Sequence, residues 1–308
     1  MITTDSFNQH FFVEFYYNKD NRDGFIFEEK LPKKELNLIC EAYGLFDGCM
    51  DLVEKIYETV LYGGGVYNTT INVDHPYFKT INIKLTDSYT SSFHPLKSEI
   101  NDGKYDPLVL TLGVKCLHEG QPNRFKAAIA HELLHAYENL KRYNNKTISL
   151  GQKVKNIGYN KNDTSIFYNE NSIEKTISAV LYYLTDFERN AYVAQIKAEL
   201  QLADTVFSDI NDAMKFVKNT VTYQNYEIVF SWANELCSQT DKETQAMIVY
   251  IVNSRSNNHF KTYNQFKKWL TRLAYKTERK FNNIIPKVAA ESLKLDETFS
   301  ENHDVLLK

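Results

Sequence analysis

His131-Glu132-Leu133-Leu134-His135 is the stretch of this chain whose residue types and spacing could do chemistry. On an α-helix, residues four apart stack on one face, so His131 and His135 can aim two imidazole nitrogens at one ion about 2.0–2.1 Å away. Glu132 stands about 100° further round the helix, where its carboxylate reaches a water beside the ion rather than the ion itself. A glutamate so placed can accept that water's proton as it attacks a carbonyl, then pass it to the leaving amine. The pattern predicts a zinc-dependent hydrolase, and among hydrolases a peptidase. The chain has eight histidines in 308 residues. Chance supplies such a run in about one such chain in a hundred.

The motif needs a helix to hold it. Phe125, Ala128, Ile129, Leu133, Ala136, Tyr137 and Leu140 recur at spacings of three and four, which predicts an amphipathic helix over residues 123–141. Asn123, after Pro122, is the expected N-cap, and Lys141 with Arg142 suits the C-terminal end of the dipole. Upstream, residues 66–73, 80–85 and 108–112 read as strands, most plainly where Ile81, Ile83 and Leu85 alternate with polar neighbours. Further upstream, β-like runs at 11–17 and 24–27 flank turn residues and predict a hairpin. A helical stretch from Lys33, interrupted near Gly44 and Gly48, resumes over 52–60 and stops at Gly63-Gly64-Gly65.

Beyond the motif, residues 143–171 are rich in Asn and Lys and read as a loop rimming the site. Residues 172–202 read as one long helix, and the helical pattern runs to near Leu293, clearest over 263–285. Residues 246–252 read as a buried element. Strands, then the motif helix, then more helices predict an α+β fold: a small mixed sheet packed on the motif helix, followed by a helical C-terminal region. The expected division is a catalytic domain over residues 1–202, N-terminal hairpin included, and a helical region over 203–308 that could dock a protein partner.

Two imidazoles do not complete a catalytic zinc site, which usually takes three protein ligands and keeps an open position. Only His259 and His303 follow the motif, and no H-x-x-G-x-x-H extension follows His135. A carboxylate from a later helix is then the natural third donor, with Glu170, Glu174, Asp186 and Glu188 as candidates. Val180, Leu184, Phe187, Ala191, Ala194 and Ala198 form the apolar stripe of the 172–202 segment. Glu188 borders that stripe, and the small Ala191 one turn on lets another helix approach closely.

With Glu188-Arg189-Asn190-Ala191 following His131-Glu132-Leu133-Leu134-His135, the chain resembles the gluzincin metallopeptidases. These pair H-E-x-x-H on one helix with a glutamate in an E-x-x-A element on the next. The resemblance covers two short motifs and an order of elements. It implies a zincin-like fold, one Zn2+ ion held by His131, His135 and Glu188, Glu132 as the catalytic base, and a peptide or protein substrate. It also implies a strand before the motif helix that pairs with substrate from the sheet edge. Leu108–Gly113 fits by position, although the same pattern suits an interior strand. There are two departures. The interval from His135 to Glu188 is 53 residues, longer than in compact members, and Tyr192 stands where several families carry an Asp that orients the first histidine. The outer partner of that histidine is left open between Asp186 and a backbone carbonyl. A tyrosine or histidine often supplies the oxyanion donor in such enzymes, and the 21 tyrosines offer no ground for choosing one.

Composition bounds the rest. With 43% hydrophobic and 14% aromatic residues but only 11 Gly and 6 Pro, the chain reads as folded. A net charge of −3 argues against wholesale nucleic-acid binding, and the basic run from Lys261 to Lys280 reads as a solvated face. No basic-then-apolar leader opens the chain and no apolar run is long enough for a bilayer, so a cytoplasmic protein without membrane contact is expected. Cys40, Cys49, Cys116 and Cys237 lack C-x-x-C spacing and are expected reduced, a Cys40–Cys49 disulfide being the alternative. A reading from another class also stands: a non-catalytic structural or binding protein on the same fold, a component of a larger phage or bacterial assembly. Glu132 favours the hydrolase, because a structural zinc site has no use for it.

Overall fold

The computed structural model of the chain describes residues 45–63, 68–95, 97–144, 173–255 and 259–305. The expected N-terminal hairpin, the helix from Lys33, Cys40 and residues 145–171 of the rim loop lie outside these.

Alternating apolar side chains build the sheet. β1 (Asn68–Asn72), β2 (Thr80–Thr86), β6 (Leu108–Gly113) and β3 (Ser92–Phe93) lie in the order β1-β2-β6-β3. β4 (Ile100–Asn101) and β5 (Lys104–Tyr105) pair separately. β2 runs antiparallel to β1 and parallel to β6, and β3 runs antiparallel to β6. The β2–β6 register sets Ile81 against Leu108, Ile83 against Leu110 and Leu85 against Leu112, and all six side chains are buried. β6 ends on Gly113, where a Cβ would run into the carbonyl oxygens of Ser88 and Thr90.

Two helices share the core of this sheet. α1 (Cys49–Tyr62) contributes Leu52, Val53 and Ile56; α3 (Pro122–Asn144) contributes Phe125, Ile129, Leu133, Ala136 and Leu140. The short α2 (Lys115–His118) links β6 to α3. Pro122 occupies the first helical position, where its missing N–H costs nothing. Asn123, expected as the N-cap, therefore lies inside the helix, and its amide donates to the Leu202 carbonyl at 2.8 Å. Cys49, Cys116 and Cys237 are free and buried, and burial raises the Cys49 thiol to about 12.

The second half is helical: α4 (Ile173–Tyr183), α5 (Asp186–Gln201), α6 (Ile210–Asn219), α7 (Val221–Cys237), α8 (Lys242–Arg255) and α9 (Tyr263–Val305). The single helix expected over 172–202 is two. Thr185 adopts an extended conformation (φ −69°, ψ 149°) and its hydroxyl accepts the Glu188 N–H at 3.3 Å, which starts α5 afresh. Thr185-x-x-Glu188 has capping-box spacing, a signal present in the sequence. The 246–252 stretch is half a buried element: within α8, Ile248 and Val252 are buried, whereas Met247 is 45% and Tyr250 75% exposed.

These helices enclose a second core that includes Ile177, Tyr226, Phe230, Ile248, Phe266 and Phe281. α5 belongs to both halves. Its Val193, Ile196 and Leu200 enter the helical core, its Ala198 enters the sheet core, and Ala191 with Ala194 packs on Leu134 of α3. Three alanines on one face let α5 lie close against the motif helix.

Candidate metal centre

The α3–α5 contact brings the predicted ligands together. Glu188, the third residue of α5, reaches back to the two histidines of α3. Its Oε2 lies 3.5 Å from His131 Nε2 and its Oε1 lies 3.2 Å from His135 Nε2. One ligand atom from each of the three falls within 4.8 Å of the others. Tetrahedral bonds of about 2.0–2.1 Å place ligand atoms about 3.3 Å apart, so this donor set fits an ion with only small adjustment. His131, His135 and Glu188 are thus close enough to hold a metal ion, and they are the only such cluster among the described residues. Glu174 stays outside it on α4, and Glu170 and the Asp186 side chain lie outside the described residues.

Charge makes the cluster self-consistent. Burial alone would push the Glu188 carboxyl up, since its side chain is 2% exposed. Interactions with the imidazoles of His135 and His131 outweigh burial and hold it well below the ordinary carboxylate range. The N-terminal turn of α5 favours the same anion. Burial likewise opposes charge on His131, but Glu188, Glu132 and Gln195 together raise its pKa. His131 faces acceptors at both nitrogens, Gln195 Oε1 at Nδ1 (3.1 Å) and Glu188 at Nε2. A cation at Nε2, whether proton or metal, is what that arrangement favours.

Glu132 points elsewhere, as its position on the helix requires. Its Oε2 accepts the backbone N–H of Phe93 at 2.6 Å. His94 donates its own N–H to Val109 of β6, so the alternation of an antiparallel ladder turns the Phe93 N–H away from β6. The strand edge beside the motif is therefore β3. Leu108–Gly113, whose pattern suited either an edge or an interior strand, is interior, flanked by β2 on one side and β3 on the other.

Three further side chains surround the cluster, of which Tyr182 and Gln195 escaped the sequence reading. Tyr182, in the last turn of α4, hydrogen-bonds Glu188; burial first, then the negative charges of Glu188 and Glu132, hold its hydroxyl protonated well above the ordinary range. Tyr192 packs edge-on against His131, ring centroids 5.3 Å apart, so it walls the imidazole where an aspartate would have bonded it. Among the described residues the outer partner of His131 is Gln195 and not a backbone carbonyl; the Asp186 side chain lies outside them. Residues 188, 192 and 195 share one helix face, a spacing from which Gln195 could have been nominated. His118 takes no part; it is exposed and lies 4.0 Å from Asp87.

No protein-family model matches the chain, and no curated protein or solved structure gives a significant match. Among the described residues, no helix is long and apolar enough to cross a membrane.

Proposed function

We propose that the chain is a zinc-dependent hydrolase that cleaves peptide bonds on a zincin-like fold of the gluzincin type. The observation that carries this reading is the meeting of Glu188 with His131 and His135 while Glu132 points past them to the sheet edge. Two imidazoles and one carboxylate are the donor set of catalytic zinc sites with a histidine–glutamate ligand set. When bound, zinc would supply Lewis acidity and bring the pKa of water towards about 7.

The side chains divide the remaining work. Glu132, steadied on one oxygen by the Phe93 N–H, takes the proton of the attacking water and returns it to the leaving amine. Tyr182, whose hydroxyl stays protonated and bonded to Glu188, would turn its one O–H from that carboxylate, once an ion draws on the carboxylate's charge, to the negative charge that develops on the substrate oxygen. β3 is the margin strand beside Glu132; its outward N–H, that of Phe93, is held by that carboxylate, so an extended peptide would take this amide over in order to pair there. That edge favours a peptide over other acyl substrates.

Metal analysis of the purified protein should find about one equivalent of zinc, lost in His131→Ala. Glu132→Gln should keep the zinc and lose chelator-sensitive peptide hydrolysis. Hydrolysis that persists in Glu132→Gln at unchanged zinc content rules out Glu132 as the base, and a metal-free wild type ends the proposal.

A further inference from the structure

A hydrogen-bonded chain leads away from the candidate metal centre and ends on a buried acid that the mechanism does not use. His131 Nδ1 lies 3.1 Å from Gln195 Oε1, and Gln195 Nε2 donates to Thr222 Oγ1 at 2.9 Å. The Thr222 hydroxyl then donates to Glu199 Oε1. The chain crosses from α3 to α5 to the first turn of α7 and back to α5. Thr222 and Glu199 are both buried, and Thr220 and Gln195 also lie against the Glu199 carboxyl. Gln195, which lies against both His131 and Glu199, and Thr222 stand between Glu199 and His131, and Glu199 touches no ligand of the ion.

Burial pushes the Glu199 carboxyl up to about 7, although Thr222, Thr220, Arg124 and Gln195 all pull it down. On the alkaline side of neutrality it is an anion, and an ionised carboxylate only accepts hydrogen bonds. Thr222 must then direct its one O–H at Glu199, which leaves its lone pairs facing Gln195. The Gln195 amide answers with its N–H, so its oxygen faces His131. An imidazole opposite that oxygen must carry its hydrogen on Nδ1, which leaves the Nε2 lone pair for the ion. Run in the opposite sense, the chain would present an N–H to Nδ1 and place the hydrogen on Nε2, where it blocks the metal.

We propose that Glu199 is a positioning residue: as the acceptor-only end of the Thr222–Gln195–His131 chain, it sets the proton sense that keeps His131 a ligand through Nε2. The inference rests on the metal-site reading above. Its test uses the full chain at pH 8. Zinc affinity is measured by competition with a chelating dye, and the His131 Nδ1–H resonance of the zinc-bound protein is followed by NMR. Glu199→Gln, which can donate back to Thr222 and Gln195, should weaken zinc binding about tenfold, and Thr222→Val, which leaves only the direct Gln195–Glu199 contact, should weaken it by less. In both, the Nδ1–H resonance should move upfield and exchange faster with water. Thr222→Ser keeps the hydroxyl and should stay within about twofold of wild type.

Wild-type affinity with an unmoved resonance in Glu199→Gln overturns the proposal. So does weakened zinc with an unmoved resonance, because Glu199 would then act only through packing. If Thr222→Val fails to fold, Glu199→Gln decides alone. A wild type that takes up no zinc is a separate result, which removes the metal reading and this inference with it.

Discussion

Glu188 and His131 stabilise each other's charged forms, and that sets a pH window. The Glu188 pKa is depressed from 4.5, so its contribution is complete above that value and is lost as pH falls through the depressed pKa. The His131 pKa is raised from 6.5, so its contribution is complete below that value and is lost as pH rises through the raised pKa. Urea unfolding of the metal-free protein should show the wild type gaining most over Glu188→Gln between pH 4.5 and 6.5. A difference independent of pH would show that the pair is not ionised as described. Glu199 adds its own decline with rising pH, and the comparison cancels it because both proteins carry it. Tyr182→Phe should lower kcat about 100-fold and leave zinc content alone; an unchanged kcat removes it as the oxyanion donor. At this scale the sequence was legible wherever one helix decides. His131, Glu132 and His135 are placed by periodicity alone, whereas the stripe only makes Glu188 one candidate of four and the resemblance to an E-x-x-A element singles it out. Gln195 left a signal in its spacing from Glu188, but Glu199 was illegible because its place depends on which helices become neighbours. The Phe93 N–H was illegible because a backbone donor leaves no mark in residue type.

Between α4 and α5 the chain breaks at Leu184 and Thr185, and this break lets two consecutive helices supply the site from different directions. Tyr182 comes from the end of one and Glu188 from the start of the other. The apolar stripe runs through both helices without interruption, which is why periodicity alone reads them as one; the capping threonine is the finer signal. The same scale governs how closely Glu188 approaches the histidines. Ala191 is fully buried one turn beyond it and packs with Ala194 on Leu134. Ala191→Leu should cost about 1–3 kcal/mol of stability through overpacking. It should also lower zinc affinity by far more than a matched loss of stability elsewhere, such as Leu110→Ala in the sheet. Equal zinc binding by the two variants would show that helix spacing does not control the site. β6 carries the complementary lesson. Its apolar alternation predicted a strand, but edge and interior strands share that pattern, and only the presence of the two-residue β3 decides between them.

Across the whole molecule, the sheet core and the helical core meet along the α3–α5 seam, and the three ligand side chains lie in that seam. An ion held there ties residues of both halves, so zinc should raise the unfolding temperature of the whole chain in one transition. At free zinc a thousandfold above Kd the gain is about 4 kcal/mol. Calorimetry showing zinc shifting only part of the transition would contradict that coupling. The contact between Glu132 and Phe93 matters at this scale as well. A sheet margin with an unanswered amide is a template on which a second molecule can add a strand and begin to aggregate. The carboxylate proposed to move the catalytic proton also occupies that margin. An inactive form made by trimming Glu132 to alanine would take this acceptor from the amide, whereas glutamine still offers one, so the two silenced proteins should differ in how readily they stick to their own kind.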